Sequence, residues 1–222
     1  VEHDFGCNPC SEIILRPYQF CNLSEVVARA GDTEQSLATK VGLATILGTF
    51  QSTMTNFKYI RKIWQKNTEE ERLLGVSLTG IMDNEMLSGN SATLGKNIGA
   101  TLELLREVAV QTNKGMAKKL GIPQSTAITC VKPSGTVSQL VDSASGIHAR
   151  HNPHYIRTVR GDNKDPLTQF LISEGIPAEP DVMKPDSTTV FSFPMKSPNA
   201  AVTRTEMTAI EQLDLWLLYQ RH

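Results

Sequence analysis

Leu74–Thr79 (LGVSLT) and Ala127–Val131 (AITCV) are short, continuous apolar runs, the first ended by Gly80 and the second running into Lys132-Pro133-Ser134-Gly135-Thr136. Runs of this length without polar alternation fit strands buried on both faces, which is typical of parallel sheets. Between and before them lie helical patterns. Leu43, Leu47, Phe50, Met54 and Phe57 recur at intervals of four and three, after Asp32 and Thr33 as candidate caps, so a helix is expected over roughly 33–57. Leu94, Ile98, Leu102, Leu105, Ala109, Thr112 and Met116 mark a second, ending near Gly121 and Pro123. Buried strands separated by long helices predict an α/β fold with mostly parallel strands.

The outer segments fit this frame. Residues 1–25 are broken by Gly6, Pro9 and Pro17 and read as an extended loop with strand pieces at Glu12–Arg16 and Phe20–Leu23. Tyr155–Arg160 and Thr188–Phe193 read as strands and 165–175 as a helix, while Thr203-x-x-Glu206 is a capping box for a last helix carrying Met207, Ile210, Leu213 and Leu217. No repeat, low-complexity tract or linker is evident, so residues 1–222 read as one domain. The chain starts at Val1 without Met and stops at His222 within a helical pattern, so both ends read as cuts through a longer protein.

Composition narrows the function classes. With 22 basic and 23 acidic residues the chain has no bias toward a nucleic-acid polymer. No apolar run approaches the roughly 18 residues of a membrane span. Three of four cysteines, Cys7, Cys10 and Cys21, crowd the first tenth of the chain, and they read as working thiols of a cytoplasmic protein. In an extended Asn8-Pro9-Cys10-Ser11-Glu12, alternate side chains point together, so Asn8, Cys10 and Glu12 would share one side. An amide, a thiol and a carboxylate there suit chemistry on a sugar diol, with Glu12 taking a hydroxyl proton and Cys21 offering a further thiol. Cys7-x-x-Cys10 is equally a zinc-knuckle or thioredoxin-like spacing. Zinc would need two more ligands, and the interval to Cys21 makes no second knuckle. A thioredoxin-like pair should precede a helix, which Pro17 argues against. On the residues alone this is a reactive-cysteine loop.

Ser134, Gly135, Thr136 and Val137, between a buried strand and a short helix, form a second candidate: a phosphate site of backbone N–H groups, hydroxyls and a glycine permitting close approach. The same residues also serve as ordinary caps. His148, His151 and His154 recur at intervals of three, but Pro153 breaks the helix that would align them, so no metal is expected. Lys132, Arg150, Arg157 and Arg160 read as a solvated basic face, and Cys130 as a small core residue.

Taken together, GCNPCSEIILRPYQFCNLSEVV (6–27), ERLLGVSLTGIMD (71–83), VKPSGTVSQL (131–140) and SGIHARH (145–151) resemble the ribonucleotide reductases, most of all the adenosylcobalamin-dependent, monomeric ribonucleoside-triphosphate type. The resemblance implies part of a ten-stranded α/β barrel, its second half, with a finger loop at about 6–16 in the centre. It implies that Cys10 carries a thiyl radical that abstracts the 3′-hydrogen, that Glu12 deprotonates the 3′-hydroxyl and that Asn8 binds the substrate hydroxyls. Cys21 would be one of two thiols oxidised to a disulfide, and residues 134–137 would hold the substrate phosphates. It further implies adenosylcobalamin as cofactor, a ribonucleotide as substrate, thioredoxin or a similar dithiol as reductant, and an effector nucleotide bound outside this chain. The partner of Cys21 would precede Val1, and Cys7 matches no role. The large subunit of an oxygen-dependent reductase shares the Asn-x-Cys-x-Glu logic and stays open as an alternative, as does a zinc-binding interaction module.

Overall fold

The computed structural model describes residues 3–89 and 98–222. The chain divides into two compact units, one comprising the residues up to Arg150 with Ala200–His222, the other His151–Asn199.

The first unit is built on a parallel sheet. Strand β3 (Asn22–Val27) pairs with β4 (Leu74–Thr79) in register Asn22↔Leu74 to Val27↔Thr79. The expected strand at 127–131 runs parallel along the other edge of β4, with a bridge at Val76↔Thr129. Leu74 N–H donates to Ala127 O (2.9 Å), Val76 N–H to Ile128 O (2.8 Å) and Cys130 N–H to Val76 O (3.1 Å). Ahead of these, β1 (Gly6–Cys7) and β2 (Ile14–Leu15) form a small antiparallel hairpin.

Helix α1 (Glu34–Gln51) begins at a capping box, Thr33 Oγ1 accepting from Ser36 N–H (3.3 Å) and Ser36 Oγ from Thr33 N–H (3.0 Å). Its buried face is Leu37, Val41, Ala44, Thr45, Gly48 and Thr49, mostly small residues. A Cβ on Gly48 would sit 3.5 Å from both Leu74 and Ser24, so the helix backbone lies close against the sheet. The stripe expected to be core, Leu43, Leu47, Phe50 and Met54, is exposed instead (Met54 by 73%). The helix is apolar on two sides, and the side with the smaller residues packs because it lets helix and sheet approach. Thr45 and Thr49 enter the core because their hydroxyls donate to Val41 O and Thr45 O one turn back.

Helix α2 (Lys62–Glu71) was not foreseen, since it has almost no apolar stripe. Its acidic end holds the chain following the hairpin: buried Arg16 pairs with Glu70 and Glu71 (both 3.1 Å), and Gln19 donates to Glu71 (2.6 Å). After β4, Gly80 (φ 77°) turns the chain where a Cβ would meet Ala28 O at 2.3 Å. A 3-10 turn (Ile81–Asp83) and α3 (Glu85–Ser88) follow, and then α4 (Ile98–Leu120). Helix α4 buries Ile98, Leu102, Leu105 and Ala109 as expected, whereas Leu94 lies outside the described residues. Short α5 (Thr136–Leu140) comes next in this unit.

The second unit is a three-stranded antiparallel sheet of β5 (His154–Asp162), β6 (Ala178–Pro180) and β7 (Thr188–Lys196) in order β5-β7-β6, with α6 (Pro166–Ser173). This departs from the expected parallel pattern, and the whole chain is mixed α/β. Helix α7 (Ala209–Arg221) returns to the first unit. It opens at Thr208-x-x-Glu211, a box five residues later than expected, while Thr203 and Glu206 close a separate turn. Its buried residues are Leu215 and Tyr219, whereas Ile210, Leu213 and Leu217 face outward. Within the first unit, where the chain leaves and returns, Arg150 N–H donates to Val202 O (2.9 Å) and Arg204 N–H to Arg150 O (2.8 Å).

Candidate active site

The hairpin tip spans residues 8–13. Asn8 N–H donates to Ile13 O (3.3 Å), Ile13 N–H to Asn8 Oδ1 (3.0 Å), and Ser11 N–H to Asn8 O (2.9 Å). Ser11 takes a left-handed conformation (φ 62°). The tip is therefore a tight turn, not the extended segment expected, and strand alternation does not describe Asn8, Cys10 and Glu12. Proline at position 9 explains this locally, because it fixes its own φ and has no N–H to pair. Cys10 is exposed at the tip, and Asn8 and Glu12 are half-buried. With its amide oxygen already accepting from Ile13, Asn8 has its Nδ2 donors left for a ligand. Cys7, exposed beside the tip, lies 3.6 Å from Ser11 Oγ.

Both carboxylate oxygens of Glu12 are shielded from solvent and accept no hydrogen bond among the described residues. A carboxylate so placed is costly for the fold alone, since buried polar groups are ordinarily partnered. It acts on two thiols. Burial, then the Glu12 charge, raises the pKa of Cys21, and the same two causes with Cys21 push Cys130 up to about 12, against the opposing charge of Lys132. Both thiols therefore keep their protons at neutral pH. All four cysteines are free.

Under the tip lies Gly75 of β4. A Cβ there would stand 2.5 Å from Leu23 Cδ2, 3.0 Å from Ile13 Cδ1 and 3.1 Å from Cys130 Sγ. The missing side chain is the seat into which the hairpin's Ile13 fits, and an isolated glycine within a strand was the sequence signal for such close approach. Glu25 also has a shielded, unpartnered oxygen. Its place two and four residues beyond Leu23 and Cys21, one strand period apart, was the signal for it.

Ser134 to Val137 stand where the strand at 127–131 gives way to α5. Ser134 is buried, its Oγ accepting from Ser138 N–H (3.2 Å) and its carbonyl from Ser138 Oγ (3.1 Å) and Ser145 Oγ. The Ser134 hydroxyl is thus engaged within the loop, while nothing lies within 4 Å of a Cβ built on Gly135. Arg150 corrects the basic-face expectation. It is buried, with Nε and Nη2 on the two oxygens of Asp83 (2.8 and 2.9 Å), whereas Arg160, exposed, pairs with Asp181 (2.7 Å). His148 Nδ1 is 3.1 Å from Ser145 O, and His151 stacks edge-on against Tyr155. Among the described residues no three His, Cys, Asp or Glu side chains are arranged to hold a metal ion.

No family model matches the chain. It is 28% identical over 220 residues to the adenosylcobalamin-dependent ribonucleoside-triphosphate reductase of Euglena gracilis, covering 98% of this chain and 29% of that one. The enzymes of that name from Levilactobacillus brevis and Lactobacillus leichmannii are 28% and 27% identical over 216 and 215 residues, with 88% of this chain covered in each case. A crystal structure of a B-12 dependent (class II) ribonucleotide reductase superposes with a TM-score of 0.79 at 25% identity, over 97% of this chain and 33% of that one. The chain thus spans 28% to 29% of the length of these curated relatives. The resemblance drawn from the motifs is what the comparisons find.

Proposed function

We propose that this chain is the finger-hairpin segment of the catalytic barrel of an adenosylcobalamin-dependent ribonucleoside-triphosphate reductase. The enzyme would reduce ribonucleotides to 2′-deoxyribonucleotides. The observation that carries this reading is the shielded, unpartnered carboxylate of Glu12, two residues from exposed Cys10 and raising the pKa of Cys21. Similarity to reductases of that name over nearly the whole chain supports it.

The residues divide the work as follows. Cys10, exposed at the hairpin tip, takes the 3′-hydrogen of the ribose as a thiyl radical. Glu12, without a donor to satisfy it among the described residues, accepts the 3′-hydroxyl proton. The Asn8 Nδ2 donors bind sugar oxygens. Cys21, kept protonated by burial and by Glu12, gives up its hydrogen as the 2′-hydroxyl leaves as water, and with a second thiol upstream of this chain ends as a disulfide. A thioredoxin-type dithiol restores that pair. Residues 134–137 hold the substrate phosphates through backbone N–H groups of the loop and the start of α5, the N–H of Ser138 being already taken by Ser134 Oγ. An exposed thiol on a protruding tip fits a cofactor that must approach it from outside the hairpin; adenosylcobalamin supplies the one-electron chemistry that amino-acid side chains do not start. The full barrel of ten strands, the single-domain assignment of residues 1–222, an effector site outside the chain, a monomeric state and a cytoplasmic setting belong to the same reading. Among the described residues no helix is long and apolar enough to cross a membrane.

The test is turnover of the complete protein with a ribonucleoside triphosphate, adenosylcobalamin and a dithiol, without iron or a second subunit. Deoxynucleotide is expected. Activity only on adding a metal-containing partner subunit would move the chain to the oxygen-dependent type, and none under either condition would remove the reading.

A further inference from the structure

We infer that Asp83 and Arg150 are positioning residues that set the 134–137 loop for substrate phosphates, an inference resting on the assignment of that loop above. Asp83 lies just past the end of β4, far in sequence from the loop. Its carboxylate accepts Arg150 Nε and Nη2 at 2.8 and 2.9 Å and also the N–H of Ala144 at 2.8 Å. Arg150 also donates to Asp142, Nη1 to Oδ1 (2.9 Å) and Nη2 to the carbonyl (3.0 Å), and Asp142 stands in a left-handed conformation (φ 47°). Residues 142–146 thereby become a splint.

One side of the splint is pinned to the end of β4. Thr79 Oγ1 donates to Ala144 O (3.1 Å) and accepts Gly146 N–H (2.8 Å), and Gly80 N–H donates to Ala144 O (2.9 Å). The other side carries the loop. Ser145 Oγ donates to Ser134 O, Ser143 N–H donates to Ser138 O (2.9 Å), and a Cβ on Gly146 would sit 2.9 Å from Lys132 O and 3.3 Å from Ser134 N. The loop's position is thus relayed from the sheet through groups with directional bonds. The Asp83 and Arg150 side chains are 2% and 3% exposed. Burying such a pair costs desolvation that well-packed apolar residues would avoid, so it is a poor device for stability alone. Its short, directional bonds to Asp83 and Asp142 fix geometry, which is what a phosphate cradle requires.

The experiment uses the complete enzyme and three variants: Asp83→Asn, Thr79→Val and Gly135→Ala. The first two loosen the splint from opposite ends, and the third puts a methyl at the loop with nothing beyond its chain neighbours within 4 Å of it. The backbone there (φ −96°, ψ −90°) lies outside the ordinary helical and extended regions, so a thermal melt of this variant accompanies its KM. For Asp83→Asn and Thr79→Val the KM for ribonucleoside triphosphate should rise about tenfold with kcat changed less than about threefold, the signature of lost ground-state binding. Gly135→Ala should raise KM as well. If Gly135→Ala raises KM while both splint variants leave it unchanged, the inference is overturned and the phosphate loop stands. If Gly135→Ala leaves KM unchanged, the loop assignment fails and takes the inference with it. Equal loss of kcat and of kcat/KM in the splint variants would also overturn it. Where Asp83→Asn does not fold, Thr79→Val decides.

Discussion

Replacing Gly75 with alanine probes how the hairpin is seated. The new methyl would be 2.5 Å from Leu23 Cδ2, 3.0 Å from Ile13 Cδ1 and 3.1 Å from Cys130 Sγ. Carbon atoms are at ease near 3.5–4.0 Å, so the Leu23 contact must open by about 1 Å and the Ile13 contact by about half that. Leu23, half-buried, can turn its end away, but Ile13 is 4% exposed and has no solvent to move into. Overpacking costs about 1–3 kcal/mol, and the unfolded chain's loss of freedom on leaving glycine offsets about 0.4–1 kcal/mol, leaving a net destabilisation of about 1–2 kcal/mol. Ile13 is bonded through its backbone to Asn8, so the tip shifts with it. Urea unfolding should show a lower midpoint, and alkylation of Cys10 should change rate. An unchanged or raised midpoint with unchanged Cys10 reactivity would refute the seating argument.

Four further outcomes are expected. In the complete enzyme Cys10→Ser should abolish turnover while nucleotide still binds, and Cys21→Ser should prevent multiple turnover with a dithiol while 3′-hydrogen exchange persists; residual reduction in the first, or normal cycling in the second, would break the assignments. Cys130, pushed up to about 12 from an ordinary 9.0, keeps its proton in the folded chain where the unfolded chain loses it, so stability should fall as pH climbs from about 9 toward 12. Buried Tyr219, raised in the same direction, adds to that slope; Cys130→Ala should flatten it in alkaline unfolding curves, and an identical slope in the variant would contradict the cause. Asn113, fully buried, donates to Thr49 Oγ1 and Ser125 Oγ and accepts from Ser125 N–H (all 3.0 Å), so Asn113→Ala should cost about 2–4 kcal/mol by thermal melting, because it strands partners in a dry interior.

Strand β4 and the strand at 127–131 were legible because buried parallel strands leave unbroken apolar runs, and β4 falls on Leu74–Thr79 as read. Strand β3, interrupted by Asn22, Ser24 and Glu25, was read as Phe20–Leu23 and lies at Asn22–Val27. Helix α4 was legible in its buried face, whereas α1, which ends at Gln51 and not near 57, and α7, which opens five residues late, were legible as elements but not in facing. Large apolar side chains in α1 and α7 drew attention to Leu43, Leu47, Ile210 and Leu213, while the packed faces rest on Ala44, Thr45, Gly48 and Leu215. Periodicity shows that a face exists, and close approach between elements decides which one is used. Helix α2 escaped notice because ionic contacts to Arg16 and Gln19 hold it, and these pair residues distant in sequence. At the candidate site, Cys10, Glu12 and Cys21 were singled out by motif, and the turn at the tip was signalled by Pro9 but read as extended. Asp83 carried no local signal, because its partner Arg150 lies 67 residues further along the chain.

The backbone bonds between Arg150 and residues 202 and 204 tie together the entry and exit of His151–Asn199. The chain thus leaves the first unit and re-enters it at bonded neighbours, so His151–Asn199 is an insertion whose two ends are fixed by the first unit's own backbone. It is the place where this architecture can be trimmed, enlarged or exchanged for a foreign module, while the thiol hairpin and its supporting strands inherit the same frame.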